Sequence, residues 1–149
     1  MLGWKSPAGV IGLGFSHRFG RFVIPAVAVG VGGPEGMNLS IGNEARIGSY
    51  GRSELRAFTY WTYVTGSRDE WDDTHGTTVS SGGALKVGAT IRFGIPQFIA
   101  ILGAGYAWFL SMPLYEERGP SGAFSVPANE YDPYFEPGFV VRLEIALPF

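Results

Sequence analysis

Six charged residues stand in pairs of like parity within stretches that are otherwise apolar or small: Glu44 and Arg46, Lys86 and Arg92, Arg142 and Glu144. Side chains two residues apart on a β-strand project from the same face. Each stretch would therefore carry its charges on one face, among residues such as Ser40, Gly42, Gly88 and Thr90, and its large aliphatics on the other. Charges facing the inside of a closed sheet need partners to offset lost hydration. Two kinds of chemistry suit such a set: a paired plug that holds a narrow barrel closed, or a gated ion path. Side chains fill the interior of a barrel of about eight strands, which favours the plug.

Other candidates for chemistry are weaker. His17 follows Ser16 in a basic turn and His75 lies in an acidic segment, so the two histidines fall at opposite ends of the strands between them. A Ser/His/acid site would need them to converge near a carboxylate, and no catalytic residue or enzymatic activity is expected. Asp69, Glu70, Asp72 and Asp73 offer hard oxygen ligands for Ca²⁺, but their spacing does not match an EF-hand loop, and an acidic solvated loop is the expectation. The pairs Gly12/Gly14 and Gly30/Gly32 form no phosphate loop because no helix pattern follows them. No metal and no cofactor is expected.

The elements that position these residues are strands. Glycine and proline recur too often for long helices, and the apolar residues repeat with period two. Strands are expected over 9–16, 22–31, 38–49, 54–65, 84–93, 98–112 and 139–149. Turns are expected at 17–21, 32–36, 50–53 and 95–97, with long polar loops at 66–81 and 113–133, the second hiding a short strand near 123–126. The cleanest alternation sets Leu85, Val87, Ala89, Ile91 and Phe93 against Ala84, Lys86, Gly88, Thr90 and Arg92. Seven strands are legible, which leaves the chain ends on opposite sides. Either an eighth is missing from the N-terminus, or 123–126 supplies it, or the barrel is odd-stranded.

Composition gives the sign of the two faces. The 149 residues suffice for one domain, and charged residues are only 16% of them against roughly 25% in an ordinary soluble domain. The face opposite the aliphatics is glycine, alanine, serine and threonine, a poor solvated surface but a good lining for a narrow barrel. The aliphatics are then expected outside, facing hydrocarbon, in an all-β, antiparallel up-and-down transmembrane β-barrel of about eight strands. The opposite assignment is a soluble, lipocalin-like ligand-binding barrel with the aliphatics inside. A net charge of −2 without a basic stripe argues against nucleic acid. With no cysteine there is no disulfide framework. No uninterrupted apolar stretch approaches the ~18 to 20 residues of a helical span. Residues 1–7 lack the basic start and apolar block of an export signal, so an exported protein would here be a processed or truncated chain.

Aromatics fall near strand ends, where interfacial girdles form, and Tyr60, Trp61, Tyr63, Tyr106, Trp108 and Phe149 are the expected membrane-interface set. At the C-terminus, Phe139, Val141, Leu143, Ile145, Leu147 and Phe149 alternate with Val140, Arg142, Glu144, Ala146 and Pro148. This pattern resembles the closing strand of bacterial outer-membrane β-barrels. Strand lengths, glycine-rich lumen face and size are similar to the small barrels of the OmpX and OmpA transmembrane-domain type. The resemblance implies an outer-membrane location, contact with outer-membrane lipid and lipopolysaccharide, and recognition of the last strand by the barrel-assembly machinery. It implies no functional residue. The expected role is non-enzymatic, either structural or through a protein partner bound by the outer loops. The alternatives are a narrow porin-like channel, the soluble barrel, and an outer-membrane lipid-modifying enzyme.

Overall fold

A computed structural model describes residues 2–6, 9–20, 22–31, 36–72, 75–94, 98–119 and 122–147. The chain is all-β, as expected. In order it forms β1 (Leu2–Ser6), β2 (Gly9–Ser16), β3 (Ile24–Val31), β4 (Met37–Tyr50), β5 (Ser53–Val64), β6 (Ser67–Asp72), β7 (His75–Val79), β8 (Gly82–Gly94), β9 (Ile99–Ser111), β10 (Leu114–Gly119) and β11 (Gly122–Pro127). A single helical turn, α1 (Ala128–Tyr131), and a 3-10 turn, Pro133–Phe135, lead into β12 (Gly138–Ala146).

Seven strands, β2, β3, β4, β5, β8, β9 and β12, build one strongly curled antiparallel sheet. The short β1 joins its two edges. Leu2 pairs with Leu143 on β12 and with Ile11 on β2, and Ser6 pairs with Gly9, so the ladder order returns on itself as a barrel. The eighth strand is thus Leu2–Ser6, and the segment 123–126 is not part of the barrel. The period-two signal is weak there, because Lys5 takes a left-handed φ of 52° and the register shifts between Leu2 and Ser6.

The long loops are a second correction. Residues 66–81 and 113–133 are not irregular: they fold into two hairpins, β6/β7 and β10/β11, which pair through β7 and β10 into a four-stranded sheet beyond one end of the barrel. The other end carries the β2–β3, β4–β5 and β8–β9 connections. Gly51, at φ +56°, supplies the left-handed residue that the two-residue turn between β4 and β5 needs. The expected turn at 95–97, most of the turn at 32–36, and Phe149 lie outside the described residues.

Alternation fixes which side of each strand is inside. Ile24, Ala26, Ala28, Ser40, Glu44, Ala84, Thr90, Ala107 and Val140 are buried in the barrel. Leu13, Ile41, Leu102, Phe139, Val141 and Ile145 are exposed on its outer wall, with Leu13 at 77% and Ile145 at 75%. The interior is filled by two rings from one strand, Phe58 and Tyr60, which sit among Ala26, Ala107 and Val140. Glycine makes that possible. On β8, Gly88 pairs with Phe58 on one side and Gly105 on the other, and a Cβ there would stand 2.6 Å from Phe58 Cζ and 2.3 Å from the Ala104 carbonyl oxygen.

Candidate functional site

The charges expected in the lumen converge only in part. At the turn end, Glu44 on β4 is the hub. Arg142 Nη1 donates to its Oε1 at 2.9 Å, while Arg56 Nη1 and Arg92 Nη1 reach its Oε2 at 3.2 and 3.3 Å. The Tyr60 hydroxyl donates to Oε1 at 3.0 Å. Arg142 also pairs with Glu144 two residues along its own strand. Its guanidinium lies over both lumen rings, 5.6 Å from the centroid of Phe58 and 5.4 Å from that of Tyr60. Room for it comes from Gly103, its ladder partner, where a Cβ would lie 3.3 Å from Arg142 Cβ and 2.7 Å from Thr90 Cγ2.

A second carboxylate extends the network to the mouth. Arg56 Nη2 donates to Glu54 Oε2 at 2.7 Å, and Glu54 is also within 3.5 Å of Arg18 and 3.8 Å of Arg46. The path Glu144, Arg142, Glu44, Arg56, Glu54 then connects β12, β4 and β5, and Arg92 ties in β8. Four of the six expected residues, Glu44, Arg92, Arg142 and Glu144, thus form one buried cluster. Arg46 belongs to its exposed rim, where it also donates to Ser49. Lys86 is buried elsewhere, opposite Tyr60 and Ala107 and towards the far end of the lumen.

Arg56, Glu54, Arg18 and Tyr60 were not among the residues expected here. The signal for three of them was present: Glu54, Arg56, Phe58, Tyr60 and Thr62 share one parity against Leu55, Ala57, Thr59, Trp61 and Tyr63. Tyr60 is the clear correction to the aromatic set, being fully buried in the lumen rather than on the outer wall. Trp61, Tyr63 and Trp108 do face outward, and Tyr106, partly exposed, packs against Trp108 and Phe139.

The opposite end is closed by the 3-10 turn. Tyr134 and Phe135 form an apolar lid with Val64, Val79, Tyr115 and Ala128, and Phe109 meets Phe135 edge-on at 5.6 Å. Asn38 Nδ2 donates to the Tyr134 hydroxyl at 3.1 Å from inside the barrel. Lys5 donates to the Glu136 carbonyl. Burial pushes the Tyr134 phenol up to about 12, with the Asp132 carboxylate adding to the effect and the Asn38 bond opposing it.

No family model, curated protein or solved structure matches the chain. What the site can do follows from its groups alone. The buried cluster holds guanidiniums, carboxylates and one phenol, an arrangement that cross-braces a barrel from within. Among the described residues no group of three or more His, Asp or Glu could hold a metal ion. His17 lies beside Phe19 at the turn end, while His75 opens β7 beyond the lid, so the two do not meet. The side chains of Asp69, Glu70, Asp72 and Asp73 lie outside the described residues.

Proposed function

We propose that the chain is a membrane-spanning β-barrel of the bacterial outer-membrane type, non-enzymatic and sealed, which acts through the sheet its two hairpins raise above the barrel. The single observation carrying this reading is the inversion of the two faces. Large aliphatics cover the outer wall, while the inside holds Glu44, Arg56, Arg92, Arg142 and Glu144. A water-soluble barrel would have to hydrate Leu13, Ile41, Leu102 and Val141 around its wall, whereas soluble monomers rarely expose a contiguous apolar patch above a few hundred Å². In hydrocarbon the same wall is at home, since the ladder satisfies the backbone.

The lumen supports a sealed barrel over a channel. Phe58 and Tyr60 fill its middle, the ion-pair cluster spans it on one side, and the Tyr134/Phe135 lid covers the other. The turn end is then the periplasmic side, and β6/β7 and β10/β11 stand outside, where rigidly held hairpins suit contact with a protein partner or lipopolysaccharide. The closing strand β12 is the part that assembly machinery would read.

The test is extraction and gel behaviour. The protein is expected to need detergent to stay in solution and to migrate differently in SDS before and after boiling. A protein that is monodisperse without detergent and shows no heat-dependent shift would contradict the reading.

A further inference from the structure

The turn end of the lumen opens into a vestibule of about 340 Å³, lined by the guanidiniums of Arg18, Arg46, Arg52, Arg56 and Arg92 and by one carboxylate, Glu54. Behind the vestibule Arg56 and Arg92 share Glu44 with Arg142, which also pairs with Glu144, so six guanidiniums meet three carboxylates and an excess of three remains. The chain as a whole is net −2, so this excess is local. Glu54 is already shared among Arg56, Arg18 and Arg46. Arg92 uses Nη1 on Glu44 behind the vestibule, and Arg52 pairs with no carboxylate among the described residues. Guanidiniums crowded at a half-enclosed mouth repel one another until an anion is placed between them.

A second cavity, about 450 Å³, adjoins the first and shares Arg18, Arg56 and Arg92 with it. Beside His17 and the carboxylate of Glu144, which Arg142 holds, its wall carries a group of another kind: Leu13 and Phe15 from β2 and Ile145 and Leu147 at the end of β12. These four are exposed and belong to the apolar outer surface of the barrel. A guanidinium floor therefore runs into an apolar wall that continues onto the outside.

We propose that this mouth binds an anionic amphiphile, a lipid whose phosphate-bearing headgroup sits among Arg18, Arg52 and Arg92 while its acyl chain lies against Leu13, Phe15, Ile145 and Leu147. Arginine suits the task because its fork of donors matches phosphate oxygens in pairs. The inference rests on the membrane reading for how the lipid arrives, but the site itself is defined by the two cavities.

The test uses the full chain in a neutral detergent, with binding read by native mass spectrometry and by titration in mixed micelles. The probes are phosphatidylglycerol, phosphatidylcholine with the same chains, and inorganic phosphate. Phosphatidylglycerol is expected to bind saturably and roughly tenfold or more tightly than either of the others, and the double variant Arg18→Gln/Arg52→Gln to lose about that factor, as charge-assisted hydrogen bonds do when one partner is removed. The same variant should keep the wild-type heat-dependent gel shift, which separates lost binding from lost folding. Equal affinity for the two lipids, or an unchanged double variant, would overturn the proposal. Inorganic phosphate binding as tightly as phosphatidylglycerol would overturn the amphiphile and leave a free-anion site. A protein that proves soluble without detergent would sink the membrane reading independently of these titrations.

Discussion

Arg142 and Glu44 are 98 residues apart in the chain and meet inside the barrel, Nη1 on Oε1 at 2.9 Å. The bond ties the last strand to the fourth. Glu44 also carries Arg56 and Arg92, so one carboxylate joins guanidiniums from three strands. Removing it leaves Arg92 without its carboxylate, while Arg56 keeps Glu54 and Arg142 keeps Glu144. Glu44→Gln is expected to destabilise the barrel by about 3–5 kcal/mol, the usual result of breaking a buried pair from one side. Urea unfolding in detergent micelles measures this. Replacing both partners, Glu44→Met with Arg142→Met, should cost less than the sum of the two single changes.

The Phe58 and Tyr60 rings depend on the absence of side chains across from them. Gly88→Ala puts a methyl group 2.6 Å from Phe58 Cζ and 2.3 Å from a backbone oxygen that cannot move freely. Overpacking of this kind costs about 1–3 kcal/mol. Gly48→Ala, with open space around it, should lie within about 0.5 kcal/mol of wild type. Equal midpoints for the two variants would contradict the packing described for the lumen.

Sealing of the lumen makes a prediction about conductance. The wild-type protein in planar bilayers should pass no steady current. Phe58→Ala combined with Tyr60→Ala removes both rings from the middle of the barrel, and channel-like openings are expected from that variant. Steady wild-type conductance would favour the channel reading instead.

Tyr134 gives a pH limb that belongs to the lid. Burial raises its phenol from the ordinary tyrosine value of 10.0 to about 12, so the neutral form is favoured in the folded state. The resulting stability is fully present below pH 10 and is lost as pH rises through about 12. Tyr134→Phe cannot ionise and should lack this limb, so the gap between variant and wild type in thermal midpoint should change between those two pH values. A gap constant across that window would show that Tyr134 is not held as described.

Much of this architecture was readable from alternation. The strands that became β3, β4, β8 and β12 were legible from period-two alternation, and that parity also predicted the lumen placement of Glu44, Arg92, Arg142 and Glu144. What escaped has identifiable causes. β1 is five residues long and broken by the left-handed Lys5, so no period survives. Of the second sheet only β11 left a local signal, the short strand expected near 123–126; the pairing of β7 with β10 across 30 or more residues is non-local information. Tyr60 was misplaced because an aromatic near a strand end fits an interface and a lumen equally well, and only its parity with Glu54 and Arg56 distinguishes them. Those two residues were overlooked for the same reason: the aromatic content of the strand masked its charged face.

The outer wall offers a chemical contrast that a soluble protein could not show. Ile41 is exposed and paired between Val27 and Trp61. Ile41→Arg on a water-facing surface would change stability by no more than about 0.5 kcal/mol. Facing the bilayer midplane it should cost about 2–4 kcal/mol. Denaturant unfolding from lipid vesicles gives the difference.

The most direct measurement of the central claim uses the absence of cysteine in the chain. Single cysteines placed at Ile41, Leu102 and Val141, each carrying a spin label, report what touches the outer wall once the protein is reconstituted in vesicles. Labels at all three positions should be accessible to dissolved oxygen and shielded from a water-soluble paramagnetic nickel complex. Free access of the nickel complex to these positions would mean that water, not lipid, surrounds the barrel.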